Sequence, residues 1–140
     1  MFIGEYWHNM DGKGRIAVPV KFRSELGSTV ILTRSLDNCL ALYTTDSWQR
    51  KADELLALSF NQHDNRQYIR SVVAAANESD FDAQGRILVP QPLIAAAELG
   101  KECVFIGMLD HVELWSKKNW DEYNQQLTDQ HISEIAEKLH

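Results

Sequence analysis

Runs of hydrophobic residues, separated by short polar segments, occur in the same order twice along the chain. Segments 29–33 and 39–43 in the first half, and 102–106 and 112–115 in the second, predict strands. Before each pair of strands stands a shorter apolar segment that runs into a proline, at Pro19 and Pro90. The pattern therefore predicts an α+β fold in which one set of elements is used twice.

An internal repeat explains this order. The segment from Asp11 to Pro19 matches the segment from Asp82 to Pro90 without a gap, and weaker matches reach Trp48 and Trp120. Each copy covers roughly 45 residues. A unit of that size buries too little apolar surface to fold alone, so we expect the two copies to pair as a pseudo-dimer.

Each copy predicts a strand, a tight turn, a second strand and a short helix. The second strands are predicted at 14–18 and 85–89, and a proline is expected in the first turn of the helix that follows. Aspartate at the first turn position and glycine at the fourth favour a type I turn with a bulge. The expected turn-shaping residues are Asp11, Gly14, Asp82 and Gly85. Gly27 and Gly100 are predicted to be the C-caps of the two short helices.

Helical periodicity marks the rest of the chain. Between the copies we expect a helix capped by Asp46 or Ser47 and a second helix at about 64–76. After the second copy, apolar positions continue to Leu139 with a break near Thr128, and these stripes are expected to pack in the core and between subunits. The predicted division is a first repeat at 1–50, a helical connector at 51–78, a second repeat at 79–123 and a helical tail at 124–140.

Composition narrows the functional classes. Hydrophobic residues make up 44% and charged residues 24%, which is ordinary for a globular protein. No apolar run approaches the roughly 20 residues of a membrane span, and the N-terminus lacks the pattern of a signal peptide. Cys39 and Cys103 stand far apart in apolar surroundings, so we expect buried free thiols in a reducing compartment, and a cytoplasmic protein.

Patterns typical of enzymes are missing from the sequence. No glycine-rich phosphate loop is present, and the Asp-x-x-x-Arg motif offers no nucleophile. Metal-ligand spacing is absent among the histidines, which are His8, His63, His111, His131 and His140. We therefore predict no enzymatic activity, no metal and no cofactor.

Positive charge is concentrated near the N-terminus. The chain has a net charge of −6, yet residues 12–23 contain four basic residues and no acidic one. Arg15 could form a bidentate contact with guanine or phosphate, and Lys13 at the turn apex could contact phosphate. The predicted DNA-binding residues are Arg15, Lys13, Arg86, Lys21 and Arg23. The alternative is that the two Asp–Arg pairs are plain surface salt bridges worth about 0–1 kcal/mol each.

These motifs resemble the signature of the MraZ family. In the first copy the resemblance rests on residues 1–6 and 9–23. In the second copy it rests on residues 82–90, 106–107 and 113–115. It implies a duplicated AbrB-like swapped-hairpin β-barrel with connecting and C-terminal helices, assembled into a ring-like homo-oligomer. It also implies a nucleoid-associated transcriptional regulator that binds short direct repeats of double-stranded DNA in its own promoter and represses the division and cell-wall gene cluster. Gln84 replaces Lys13 in the second copy, so unequal DNA contact by the two copies is expected.

Two other uses of the same fold remain open. AbrB-like units also serve as antitoxins, which wrap a toxin with a flexible C-terminal tail, and the acidic second half would suit a protein-interaction scaffold. The tail 128–140 is amphipathic and predicted to be helical, which argues against the antitoxin.

Overall fold

The computed structural model describes all of residues 1–140, which form eight strands and six helices. The strands are β1 (Glu5–Asn9), β2 (Arg15–Ala17), β3 (Thr29–Arg34), β4 (Leu40–Tyr43), β5 (Asn77–Asp80), β6 (Arg86–Leu88), β7 (Glu102–Gly107) and β8 (His111–Ser116). The helices are α1 (Val20–Leu26), α2 (Thr45–Leu56), α3 (His63–Val73), α4 (Gln91–Ala96), α5 (Lys117–Gln125) and α6 (Asp129–Lys138). The order strand, turn, strand, helix, two strands therefore occurs twice, as the repeat predicts.

The two copies exchange strands. In the six-stranded sheet, of order β1-β7-β8-β4-β3-β5, β1 of the first copy pairs with β7 of the second, and β5 of the second pairs with β3 of the first. At the centre of the sheet β4 and β8 pair with Ala41 opposite Glu113. Each copy thus completes the sheet of the other, which explains why neither needs a complete core of its own.

The strands do not close into the expected single barrel. The three-residue strands β2 and β6 pair with each other in a separate two-stranded sheet, here called the ribbon. One bridge, between Met10 and Ile16, links β1 to the ribbon, so the six-stranded sheet stays open at β1 and β5.

The main core lies between the ribbon and one face of the large sheet. Ile16 and Ile87 stand opposite each other at the centre of the ribbon, and both are buried. They join a cluster that includes Phe105 and Leu114 from the sheet, Phe22 from α1 and Leu93 from α4. Burying an aliphatic or aromatic side chain of this size contributes about 1.5–3 kcal/mol, so the two isoleucines hold the ribbon firmly on the core.

Helices cover the opposite face of the large sheet. Both α2 and α3 contact β3, whereas α5 contacts β7 and β8, so the two helical groups lie on opposite halves of the sheet. Tyr43 and Trp115 are buried beneath these groups. By contrast, no residue of α6 is buried.

Several expected helix ends differ from the structure. The N-cap of α2 is Thr44, and its hydroxyl oxygen accepts a hydrogen bond from the Ser47 backbone N–H at 2.9 Å in a capping box. The prediction of Asp46 or Ser47 as the cap was therefore wrong, although Ser47 belongs to the same box. Pro19 and Pro90 are the N-caps of α1 and α4, one residue before the predicted first turn.

The expected cap at Gly100 was also wrong. Helix α4 ends at Ala96, and Glu98 takes the left-handed conformation, with φ 53°, where the first copy has Gly27 with φ 86°. Leu99 then turns into the core, and its backbone N–H donates to the carbonyl oxygen of Ile94 at 2.9 Å. Between the proline and the next strand, the second copy (91–101) therefore has two more residues than the first (20–28). Because of these two residues, the sequence comparison matched Gly27 with Gly100 and not with Glu98. The break expected near Thr128 is confirmed, since Thr128 caps α6.

Both cysteines are buried and free, as expected. Burial raises the pKa of the Cys103 thiol to about 11 and takes the pKa of the Cys39 thiol well above its ordinary value. None of the helices combines the length and the apolar character that crossing a membrane requires.

Candidate nucleic-acid interface

The turn of the first copy is organised by one carboxylate. Oδ1 of Asp11 accepts hydrogen bonds from the backbone N–H groups of Lys13 and Arg15, each at 2.9 Å. The Gly14 N–H donates to the Asp11 carbonyl oxygen at 3.2 Å, and Gly14 has φ 83°. A side chain with Cβ rarely adopts that φ, so glycine is required where the chain enters β2.

The second copy repeats this turn almost atom for atom. Oδ1 of Asp82 accepts from the backbone N–H groups of Gln84 and Arg86 at 2.9 Å, and Gly85 has φ 75°. The two turns therefore hold Arg15 and Arg86 in equivalent positions at the start of β2 and β6.

Antiparallel pairing places the two turns at opposite ends of the ribbon. Arg15 stands opposite Leu88, and Arg86 stands opposite Ala17. Because side chains alternate along a strand, these four residues share the ribbon face that points away from the buried isoleucines. Both copies thus contribute to one surface, here called the outer ribbon face.

Each arginine is oriented by the aspartate of its own turn. The Nε of Arg15 donates to Oδ2 of Asp11 at 2.8 Å, and the Nε of Arg86 donates to Oδ2 of Asp82 at the same distance. Arg86 also reaches across β2, with its Nη1 at 3.9 Å from Oδ2 of Asp11. The four side chains remain 28–36% exposed, so the Nη edges of the guanidinium groups can meet a partner from solvent.

The same hydrogen bonds lower the pKa of both carboxyl groups. The backbone N–H of Arg15 lowers the pKa of Asp11, with a further contribution from its guanidinium, and the Arg86 N–H does the same for the pKa of Asp82. A carboxylate that already accepts several donors is partly neutralised and fixes the guanidinium plane. The motif therefore holds each guanidinium in a defined orientation.

The other predicted residues lie around this face in different settings. Lys13 is exposed at the apex of the first turn, and Lys21 is exposed near the start of α1. Arg23 is half-buried, and its Nε donates to the Val18 carbonyl oxygen at 2.8 Å. Its guanidinium covers Gly85 so closely that a Cβ there would overlap Nη1. Arg23 therefore already has a structural contact that joins the two copies.

Two residues of this surface were missed by the sequence analysis as site residues. Leu88 is 56% exposed on the outer ribbon face beside Arg15, and Gln84 is exposed at the apex of the second turn. The signal for Leu88 was present, because it follows Arg86 by two positions in a strand and so must share its face. No cluster of three or more histidine, cysteine, aspartate or glutamate side chains is arranged to hold a metal ion.

Strand exchange between two sequence copies, together with one basic ribbon that both copies share, defines a duplicated, strand-exchanged α+β protein. A family model described as "MraZ protein, putative antitoxin-like" matches residues 1–71 and again residues 72–140. The chain belongs to the MraZ family.

Relatives support the assignment over nearly the full length. The chain is 42% identical over 139 residues to the "Transcriptional regulator MraZ" of Pediococcus pentosaceus and 45% identical over 139 residues to that of Clostridium acetobutylicum. In both comparisons the match covers 99% of this chain and 96% of the relative. It is 47% identical over 123 residues to the protein of the same name from Halothermothrix orenii, covering 88% of this chain and 86% of the relative. These names describe regulators and not a class of enzymes.

Proposed function

We propose that this protein is a sequence-specific DNA-binding transcriptional regulator and that the outer ribbon face reads the DNA. In this proposal each chain forms an AbrB-like swapped-hairpin unit, with repeats at 1–50 and 79–123 and helical segments at 51–78 and 124–140. It acts in the cytoplasm at the nucleoid as a repressor of its own gene cluster. The observation that carries the proposal is the pair of Asp-oriented arginines on one exposed two-stranded ribbon.

The chemistry of this face suits the major groove, which admits a two-stranded β-ribbon. With its Nε held by Asp11, the Nη edge of Arg15 is free to pair with the O6 and N7 acceptors of guanine, and Arg86 can do the same by giving up the 3.9 Å contact of its Nη1 with Asp11. The exposed Leu88 can contact a thymine methyl group. Lys13, Lys21 and any free Nη group of Arg23 would contact phosphates, which position a protein but carry no sequence information.

Asymmetry between the two turns supports recognition of direct repeats. Arg15 and Arg86 occupy equivalent positions in the two strands of the ribbon. The turn at one end of the ribbon has Lys13 at its apex, whereas the turn at the other end has the uncharged Gln84. A ribbon with one cationic end fits its DNA site in one orientation. Subunits related by rotation around a ring then meet their sites head to tail, which matches direct repeats and not palindromes.

Oligomerisation would supply the affinity that one ribbon lacks. Each good base contact contributes about 1–3 kcal/mol of discrimination, so the few contacts of one chain are too weak to select a promoter in a genome. Linking several ribbons in a homo-oligomeric ring makes the later contacts effectively intramolecular. A ring that binds through several ribbons can therefore hold DNA although each chain has a net charge of −6.

The test is fluorescence anisotropy with a labelled duplex of the protein's own upstream region, across a salt series. For Arg15→Ala we expect affinity to fall by about 5- to 100-fold per ribbon, with much less preference over scrambled DNA. Arg50→Ala removes the same charge from α2 on the opposite side of the sheet and should bind like the wild type. An oligomeric wild type that bound its upstream DNA no better than scrambled DNA would contradict the proposal and favour the scaffold.

The family description keeps a second candidate, an antitoxin, in view. An antitoxin of this kind holds its toxin with a flexible tail, whereas here α6 gives the tail ten helical residues with a capped start. Co-purification of a toxic partner protein that is bound through residues 128–140 would favour the antitoxin.

A further inference from the structure

Helices α2 and α3 form an apolar groove that no part of the chain fills. The groove has a volume of about 530 Å³, and all eight residues that line it are hydrophobic. Several of them are largely exposed, with Leu56 at 82%, Phe60 at 60% and Val73 at 49%. Isolated apolar side chains at a surface are normal, but a continuous apolar groove of this size indicates an interaction site.

Helix α6 presents an exposed apolar stripe. Ile132, Ile135 and Leu139 recur at the i, i+3 and i+7 spacing that places side chains on one face of a helix. All three are exposed, and the whole helix lacks a buried residue. An amphipathic helix laid into an apolar groove is a common mode of protein recognition.

The groove and helix α5, which leads into α6, lie on opposite halves of the large sheet. The groove helices contact β3, whereas α5 contacts β7 and β8. The two surfaces are therefore different patches of one chain, each exposed and each able to meet the other on a second copy.

The charges on α3 and on α6 are opposite in sign, although α2 places Asp53 beside the groove residue Leu56 by the same three-residue spacing. Arg66 and Arg70 precede the groove residues Ile69 and Val73 by three positions on α3, so each arginine neighbours the groove. Asp129 precedes Ile132 by the same spacing on α6, which carries three acidic residues and one basic residue. Complementary charges at the rim of an interface fix its orientation and speed association.

We propose that α6 of one subunit docks in the α2–α3 groove of a second copy of this chain. The inference rests on the proposed homo-oligomer and names the contact that builds it. In this proposal the groove and the α6 of one subunit meet two different neighbours, so the contact is heterologous and leaves a free groove at one end and a free α6 at the other. Repeating it with rotation closes a ring in which every subunit has the same neighbours.

The test is the molar mass of matched variants, measured by light scattering after size-exclusion chromatography. The groove variant is Leu56→Glu with Phe60→Glu, and the helix variant is Ile132→Glu with Ile135→Glu. All four side chains are exposed within the chain, so each variant should keep its fold, as checked by circular dichroism. We expect a wild-type mass of several times 16.0 kDa and a fall to one chain in each variant.

Mixing the two variants gives a result that is specific to a heterologous contact. The groove variant keeps an intact α6 and the helix variant keeps an intact groove, so one interface can form and we expect a species of two chains. Val20→Glu, at a 73% exposed position on α1, is the matched control and should keep the wild-type mass.

Three outcomes would overturn the inference: a monomeric wild type, variants that keep the wild-type mass, or a mixture that stays monomeric. Arg15→Ala should assemble normally, so a failure of DNA binding and a failure of this contact are observed separately.

Discussion

At the scale of single residues, each Asp–Arg pair is a part-exposed salt bridge, as the alternative expectation had it, and its aspartate also organises the turn. Oδ1 of Asp11 binds two backbone N–H groups, and Oδ2 binds the guanidinium of Arg15. The backbone bonds fix the turn even if the arginine leaves its aspartate for another partner. Because separate oxygens of Asp11 hold the backbone and the guanidinium, Arg15 is oriented by the turn and can still bind another partner.

The lowered pKa of Asp11 gives a direct check of that view. We expect its carboxyl to titrate below the ordinary value of 3.8, chiefly because of the Arg15 backbone N–H. Carbon-detected NMR titration of the side-chain carboxyl measures this midpoint. In Arg15→Ala the midpoint should rise only in part, because the backbone donors remain.

The sign of the stability effect follows from the direction of that shift. A folded-state pKa below the unfolded value means that the carboxylate stabilises the turn above about pH 3.8, and that the contribution is lost as the pH falls through the folded-state pKa. A midpoint at or above 3.8 in the wild type would contradict the expected shift and its assignment to the Arg15 backbone N–H.

Some of these residues could be predicted from the sequence, and others could not. The Asp-x-x-Gly spacing is local, so the turn roles of Gly14 and Gly85 can be derived from it. The contact of Arg23 with Gly85 joins two copies that are far apart in sequence, and no local pattern contains it. For that reason Arg23 was predicted only as a DNA-binding residue, and its structural contact was not foreseen.

At the scale of elements, the two hairpin turns depend on glycines that touch the other copy. A Cβ on Gly14 would lie 3.1 Å from the Val89 carbonyl oxygen, and one on Gly85 would overlap the Arg23 guanidinium. Both glycines also have positive φ, where a side chain costs about 1–2 kcal/mol. We expect Gly14→Ala and Gly85→Ala each to lower the free energy of unfolding by about 1–2 kcal/mol, as measured by urea denaturation.

The matched control for both is Gly12→Ala. Gly12 lies in the same first turn, its φ is not positive, and a Cβ added there would meet no atom within 4 Å, so we expect little change in stability. Adding Arg23→Ala should remove the part of the cost of Gly85→Ala that comes from overlap with the guanidinium, leaving the part due to positive φ, and should not reduce the cost of Gly14→Ala. Equal relief in both backgrounds would show that the contact between Arg23 and Gly85 is not specific.

Element types were predictable because each helix and strand has a regular pattern, but element ends were less so. The end of α4 shows why, since Glu98 occupies a left-handed position that a sequence pattern assigns to glycine. The burial of Leu99 in the core maintains this conformation, and burial is a property of the tertiary structure. The cap of α2 was missed because several polar residues at 44–47 can cap a helix.

At the scale of the whole molecule, the repeat predicted that two copies share one core, and the structure has that arrangement. The repeat alone does not determine which strands exchange, because the pairings of β1 with β7 and of β3 with β5 join segments distant in sequence. The separate ribbon likewise follows from strand length and register, which only the three-dimensional arrangement defines. The consequence for function is that Arg15 and Arg86 lie on one surface.

The central claim is that this shared ribbon lies on DNA in one defined orientation, and directed DNA cleavage tests it most directly. Single cysteines at Gly12→Cys or Ala83→Cys, beside the two turn apices, would carry an iron chelate that cuts nearby DNA and would leave Lys13 and Gln84 in place, while the native Cys39 and Cys103 are buried and stay unlabelled. We predict that the label at residue 12 cuts one end of every repeat and the label at residue 83 the other end, in the same order each time. A label at Gln49→Cys, on α2 and on the other side of the large sheet from the ribbon, should cut neither end of the repeat. Equal cutting of both ends by both ribbon labels, or cutting by the Gln49 label as strong as theirs, would contradict the account.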